Sequence, residues 1–136
     1  MKIISETASI QAPIVVVFEF LSQAHNIEPL LPEDKISEFH AHQDGCTFKV
    51  QGGFLISLLY VHKEFPTRIE MKSGEKAPFK YSLTVHLEED GDKTNGHLEF
   101  IGDVNMFLKM MVEKPLIGLF NHMSNKLQEQ FYIGKT

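Results

Sequence analysis

"NMFLKMMVEKPLIGLFNHMSNKLQEQF" (residues 105–131) carries the longest helical period in the sequence. Leu108, Val112, Leu116, Leu119, Met123 and Leu127 step by three or four residues towards Phe131, which puts them on one side of a helix. Asn121, Ser124, Asn125, Lys126, Gln128 and Glu129 fill the other side. Asn105 has a side-chain oxygen suited to capping the first turn. Pro115 lacks the N–H that would bond to the Met111 carbonyl, and its ring crowds that carbonyl. A kink or break is therefore expected near residues 111–115. The segment is not a membrane span, because Lys109, Glu113 and Lys114 interrupt it well short of the roughly 20 charge-poor residues that a bilayer requires.

An amphipathic helix needs an apolar face to pack on, and residues 35–105 supply one. Cys46, Phe48 and Val50 alternate with Thr47, Lys49 and Gln51. Phe79, Tyr81, Leu83, Val85 and Leu87 alternate with Lys80, Ser82, Thr84, His86 and Glu88. Leu98, Phe100, Gly102 and Val104 alternate with His97, Glu99, Ile101 and Asp103. Period two with one polar face predicts an antiparallel sheet with one wet side. Turns are expected at Asp44-Gly45, Gly52-Gly53, Ser73-Gly74, Asp90-Gly91 and Asn95-Gly96, with a further break at Phe65-Pro66. The run FLISLLYV (residues 54–61) is apolar on both parities. Either it is covered on both faces or its outer side meets a partner.

Ahead of the sheet, residues 3–10 partly alternate, with Ile4, Ala8 and Ile10 in phase, and predict a first strand. IVVVFEFL (residues 14–21) is ambiguous. Its β-branched residues favour a strand, while Pro13 suits the first position of a helix that would align Ile14, Phe18 and Leu21. HNIEPLL (residues 25–31) predicts a short helical turn ended by Pro32. The order is strand, two short helices, a run of antiparallel strands and one long helix: an α+β protein in which a curved sheet grips a C-terminal helix.

Composition narrows the class. A chain of 136 residues with 43% hydrophobic and 23% charged residues suits one globular domain, residues 1–136. With a net charge of −5 and no arm or helix basic throughout, no nucleic-acid partner is expected. Cys46 is the only cysteine, so no intramolecular disulfide and no zinc spacing can be built. The N-terminus lacks the apolar core of a signal peptide. A cytoplasmic location with no membrane span is expected. No phosphate-binding glycine loop, dinucleotide fingerprint or Gly-x-Ser-x-Gly occurs, and no cofactor is expected.

Three segments, "SIQAPIVVVFEFLSQAHNIEPLLP" (9–32), "VHKEFPTRIEMKS" (61–73) and "NMFLKMMVEKPLIGLFNHMSNKLQEQF" (105–131), give the chain a resemblance to the START-like superfamily, also called SRPBCC or birch-pollen-allergen-like. The first is similar to that family's opening strand and V-shaped helix pair, the second to a crossing between two strands, and the third to the last strand running into the long helix. The resemblance implies the helix-grip fold and resolves IVVVFEFL as a helix. It also implies an apolar cavity between sheet and helix, used by family members to hold lipids, sterols, polyketides, quinones or hormones. Some members catalyse cyclisation or dehydration there, and others act as co-chaperones.

On that basis the cavity wall is expected from Phe48, Val50, Tyr81, Leu83, Phe100 and Val104 on the sheet, joined by Ile56, Leu58, Tyr60 and Met71. Met110, Met111, Leu116, Phe120 and Met123 are expected to close it from the helix. The plainer alternative is that these side chains fill a core at ordinary density. Flexible thioethers and plentiful aromatics favour a cavity. The partner expected is a small hydrophobic molecule.

Other candidates carry weaker chemistry. His40 and His42 share a strand face as two metal ligands would, without a readable third, and an exposed polar face explains them. Glu88, Glu89, Asp90 and Asp92 lack EF-hand spacing and suit a solvated turn. Cys46 has no readable histidine partner and suits the core. For acid–base work the predicted inner face offers only the hydroxyls of Tyr60 and Tyr81, with His25 and Glu28 near a possible mouth. No catalytic or metal-binding residue is assigned. Binding or carriage of a hydrophobic molecule is the leading expectation, with a cyclase or dehydratase, or a co-chaperone-like protein–protein module, as the alternatives.

Overall fold

Asn105 accepts a hydrogen bond from the Leu108 amide at 2.8 Å and starts the 25-residue helix Met106–Gln130, α2. This computed structural model describes residues 1–51 and 54–132, so the Gly52-Gly53 turn lies outside the described residues. The helix is continuous through Pro115, against the break expected there. Pro115 and Met111 are both exposed, so the carbonyl deprived of its partner meets water rather than packed core.

Eight strands form one antiparallel sheet: β1 (Lys2–Ile4), β2 (Ala8–Ile10), β3 (Ile36–His42), β4 (Gly45–Val50), β5 (Phe54–Glu64), β6 (Arg68–Lys72), β7 (Tyr81–Asp90) and β8 (Lys93–Gly102). Their order is β1-β8-β7-β6-β5-β4-β3, with β2 also paired to β8. Strands β3 to β8 are therefore a meander, and the N-terminal strands return to its far edge. Between β2 and β3 lie α1 (Ile14–Leu21), a 3₁₀ helix (Ala24–Leu30) and a 3₁₀ turn (Glu33–Lys35). IVVVFEFL is thus helical, and Ile14, Val17, Phe18 and Leu21 are its buried face. Gly45 opens β4 at φ +153°, where an added Cβ would stand 2.0 Å from the Leu58 carbonyl oxygen. Only glycine fits there.

Two register expectations are corrected. The first strand is two strands, and Ile3 rather than Ile4 is buried, at 6% against 57% exposure. Ser5 breaks the phase by turning inward: its Oγ accepts from the Leu98 amide at 2.8 Å. Asn95-Gly96 is no turn but lies inside β8, where Gly96 pairs with both Ala8 and Leu87. A Cβ on Gly96 would stand 3.0 Å from Leu87 Cδ2, so close packing between neighbouring strands explains that glycine.

The C-terminal half of α2 lies along the β1–β2 edge and holds it with polar side chains. Asn121 Oδ1 accepts from the Glu6 amide at 2.9 Å, Ser124 Oγ donates to the Glu6 carbonyl at 2.7 Å, and Gln128 Oε1 accepts from the Ser9 amide at 3.0 Å. These positions, expected on the helix's wet side, instead satisfy the Ser9 amide on β2 and both backbone groups of Glu6 in the β1–β2 connection.

Candidate functional site

Between sheet and α2 the core is nearly filled. Among the described residues, small voids of about 20 and about 10 Å³ lie there. Leu58, Met71, Leu83 and Met123 line the larger, with Leu21 and Ile27 from the short helices. Ile56, Leu58, Tyr81, Phe100, Leu116 and Phe120 line the smaller. A run of rings fills that end: Phe79 to Tyr81 at 5.4 Å, Tyr81 to Phe100 at 5.2 Å and Phe100 to Phe120 at 5.1 Å between centroids. A void of this size holds about one water.

The remaining predicted wall residues separate. Phe48 is fully buried and stacks on Phe39. Val50 borders an outer groove, Tyr60 is half-buried, and Val104 lies beyond the end of β8 and is half-buried. Met110 and Met111 face away from the sheet, 78% and 59% exposed, and are not part of the wall. The inward stripe enters through Val112, while Met106, Phe107, Met110 and Met111 form an apolar strip in solvent. Exposed apolar side chains also occur off α2, at Ile4, Val61, Phe65 and Ile101. On β5, Leu55 and Leu59 are half-buried and Val61 is exposed.

Both inward tyrosine hydroxyls are engaged by backbone. Tyr60 donates to the Leu21 carbonyl at 2.8 Å. Tyr81 donates to the Ser57 carbonyl at 2.9 Å and accepts from the Ser57 amide at 2.8 Å. Burial raises both phenols, Tyr81 to about 12. Burial also pushes the Cys46 thiol up to about 12, which removes it as a nucleophile near neutrality. His25, Glu28, His40 and His42 are all exposed. Among the described residues no group of three or more His, Cys, Asp or Glu is placed to hold a metal ion.

Titratable groups gather instead on the outer face. Arg68, His86 and His97 stand in one row across β6, β7 and β8. The two imidazoles stack at 4.8 Å, His86 Nε2 lies 2.8 Å from Glu99 Oε1, and Lys2 Nζ lies 3.3 Å from Glu99 Oε2. Arg68 is paired with Glu64 at 2.7 Å, so this face largely neutralises itself. Burial first, and the His86 ring second, hold the His97 imidazole below its ordinary 6.5, while Glu99 acts in the opposite sense. The unfolded chain then binds the extra proton first as pH falls. This contribution is complete above about 6.5 and is lost on acidification below it. Glu99 acts lower: its bonds to His86 and Lys2 hold the carboxyl below 4.5, and that stability goes only as pH falls through the lowered value. Melting temperatures measured from pH 7 to 5 should fall for the wild type and fall less for His97→Gln. Parallel curves would remove His97 as a source of the decline.

Across α2, an open groove of about 340 Å³ separates the helix from the β3–β4 end of the sheet. Lys114, Pro115, Gly118, Leu119 and His122 form its helix bank, and Pro32, Lys35, Ile36, Val50 and Gln51 the opposite one. Nε2 of His122 is buried and has no hydrogen-bond partner among the described residues. Leaving such a group unpaired costs about 1–3 kcal/mol. The residues forming this groove are far apart in sequence and come together only in the fold.

No family model matches the chain, and no curated protein matches it. Solved structures do. Norcoclaurine synthase from Thalictrum flavum, determined as a point mutant with a transition state analogue, is 14% identical, with a TM-score of 0.73 over 96% of this chain and 94% of that one. XoxI from Bacillus cereus is also 14% identical, with a TM-score of 0.73 over 96% and 94%. A START superfamily protein from Mycobacterium smegmatis is 11% identical, with a TM-score of 0.67 over 96% of each chain. Identities this low speak to architecture alone, and the architecture they share with the meander, short helices and gripped C-terminal helix described above is the START-like helix-grip fold.

Proposed function

We propose that the chain binds and carries a small hydrophobic molecule between its sheet and α2. The observation behind this reading is the void of about 20 Å³ at the sheet–helix junction, bordered by Leu21, Ile27, Leu58, Met71, Leu83 and Met123. Its walls are apolar, as ligand pockets mostly are. At rest it is too small for a ligand, so binding requires the helix and sheet to part. Met71 and Met123 favour that, because unbranched thioethers repack at low cost. A transition state analogue bound in a norcoclaurine synthase of the same fold supports the reading by analogy. The cyclase or dehydratase alternative is weaker, because the hydroxyls of Tyr60, Tyr81 and the void-lining Ser124 are all committed to backbone carbonyls.

Native mass spectrometry of freshly purified protein, with thermal shifts against fatty acids, quinones and polycyclic aromatics, tests the proposal. A true ligand at a hundred times its Kd should stabilise the fold by about 2.7 kcal/mol. A clean apo mass together with no shift from any of the panel would overturn it.

A further inference from the structure

We infer that the groove between α2 and the β3–β4 end of the sheet is a head-group site for an amphiphile, taking its anionic oxygen head, carboxylate or phosphate. The inference rests on the hydrophobic-ligand proposal for the apolar body and adds the chemistry of the head. At about 340 Å³ the groove lies at the lower end of ligand-pocket sizes, whereas the interior voids of about 20 and 10 Å³ do not approach it. Its banks include Val50 and Leu119, both core residues, so an apolar chain seated there adjoins the interior.

Charge selects the head. Lys35 and Lys114 stand on opposite banks, and neither forms an ion pair among the described residues. No residue lining the groove is acidic. The nearest carboxylate along α2, Glu113, is turned to Lys109 at 3.8 Å. The neighbouring cleft of about 400 Å³ differs, being lined by Glu28, Glu33 and Glu38. An anion is therefore drawn to one cleft and repelled from the other. His122 lines the same bank, but its unpartnered Nε2 is itself buried, so the two lysines are what select the head. Gly118 leaves room between Lys114 and His122, since a Cβ added to it would meet nothing within 4 Å.

The test compares decanoate, decyl phosphate and 1-decanol, each below its micellar range, by calorimetric titration of the full chain. The wild type should bind at least one of the two anions about tenfold or more tightly than 1-decanol, and which one it prefers identifies the head. Lys35→Met with Lys114→Met should remove that preference and leave 1-decanol binding unchanged. Gly118→Trp, which fills the groove, should remove it as well, with circular dichroism confirming that each variant is folded. Equal affinity of the wild type for all three would overturn the head-group site and leave hydrophobic carriage standing. An anion preference that survives the lysine changes would place the head elsewhere. No binding of any of the three would count against both proposals.

Discussion

Truncating Leu116 to alanine is expected to lower the unfolding free energy by about 2–5 kcal/mol, whereas Met110→Ala, earlier on the same helix, should change it by no more than about 0.5 kcal/mol. Both substitutions remove a large apolar side chain from α2, so helix propensity does not separate them in this direction: alanine is the better helix former in each case. Burial separates them. Leu116 is 2% exposed and borders the smaller void beside Phe100 and Phe120. Its loss removes transfer energy and enlarges a cavity that the surrounding rings cannot close. Met110 is 78% exposed and has nothing to surrender. Urea unfolding followed by circular dichroism, with the slope checked for constancy, reads both values. Equal losses would mean that Met110 packs on the sheet and that the first turns of α2 are rotated relative to this structure.

That pair of residues also marks where sequence stops being informative. Two apolar stripes begin in the first turns of α2, one through Leu108 and Val112 and one through Met106, Met110 and the neighbouring Phe107 and Met111. Periodicity shows that both exist and does not say which meets the sheet. Continuity does: Val112, Leu116, Leu119, Met123 and Leu127 are all buried, so the stripe that runs the whole helix is the one that packs. The alternation on β4 and β7 was legible for the same reason, because a wet outer face and a dry inner face leave a strict period of two. Gly96 was not, since the close approach of Leu87 and Ile10 that it permits belongs to neighbouring strands. The groove was not either: Lys35, Val50, Lys114 and His122 come together only when α2 lies across the sheet end. The cavity was read from resemblance, and the rings that close it were read from alternation; how much space they leave is a matter of packing that no pattern encodes.

Tyr81→Phe is expected to cost about 2–5 kcal/mol, a large loss for the removal of one oxygen. The reason lies in where β6 ends. Its last pairing with β5 joins Lys72 to Leu59, so the ladder stops short of Ser57. The Ser57 amide and carbonyl then lack a strand partner on that side although the residue is only 4% exposed. The Tyr81 hydroxyl replaces the missing strand, accepting from the amide at 2.8 Å and donating to the carbonyl at 2.9 Å. Ser57 Oγ in turn accepts from the Gly74 amide at 2.7 Å, which ties the β6–β7 connection to the same point. Phenylalanine keeps the ring contacts with Phe79 and Phe100 and strands two buried backbone groups at once, so the loss isolates the hydrogen bonds. Tyr60→Phe, which removes one bond to the Leu21 carbonyl at a half-buried site, should cost only about 1 kcal/mol and serves as the control. Amide exchange gives a second and more local readout: the Ser57 amide should be protected in the wild type and exchange much faster in Tyr81→Phe, while amides in the middle of β7 and β8 slow or quicken only with global stability. Should Ser57 stay protected and stability hold, the hydroxyl would be free of structural duty and available to a ligand, and the case for catalysis inside the fold would reopen at Tyr81.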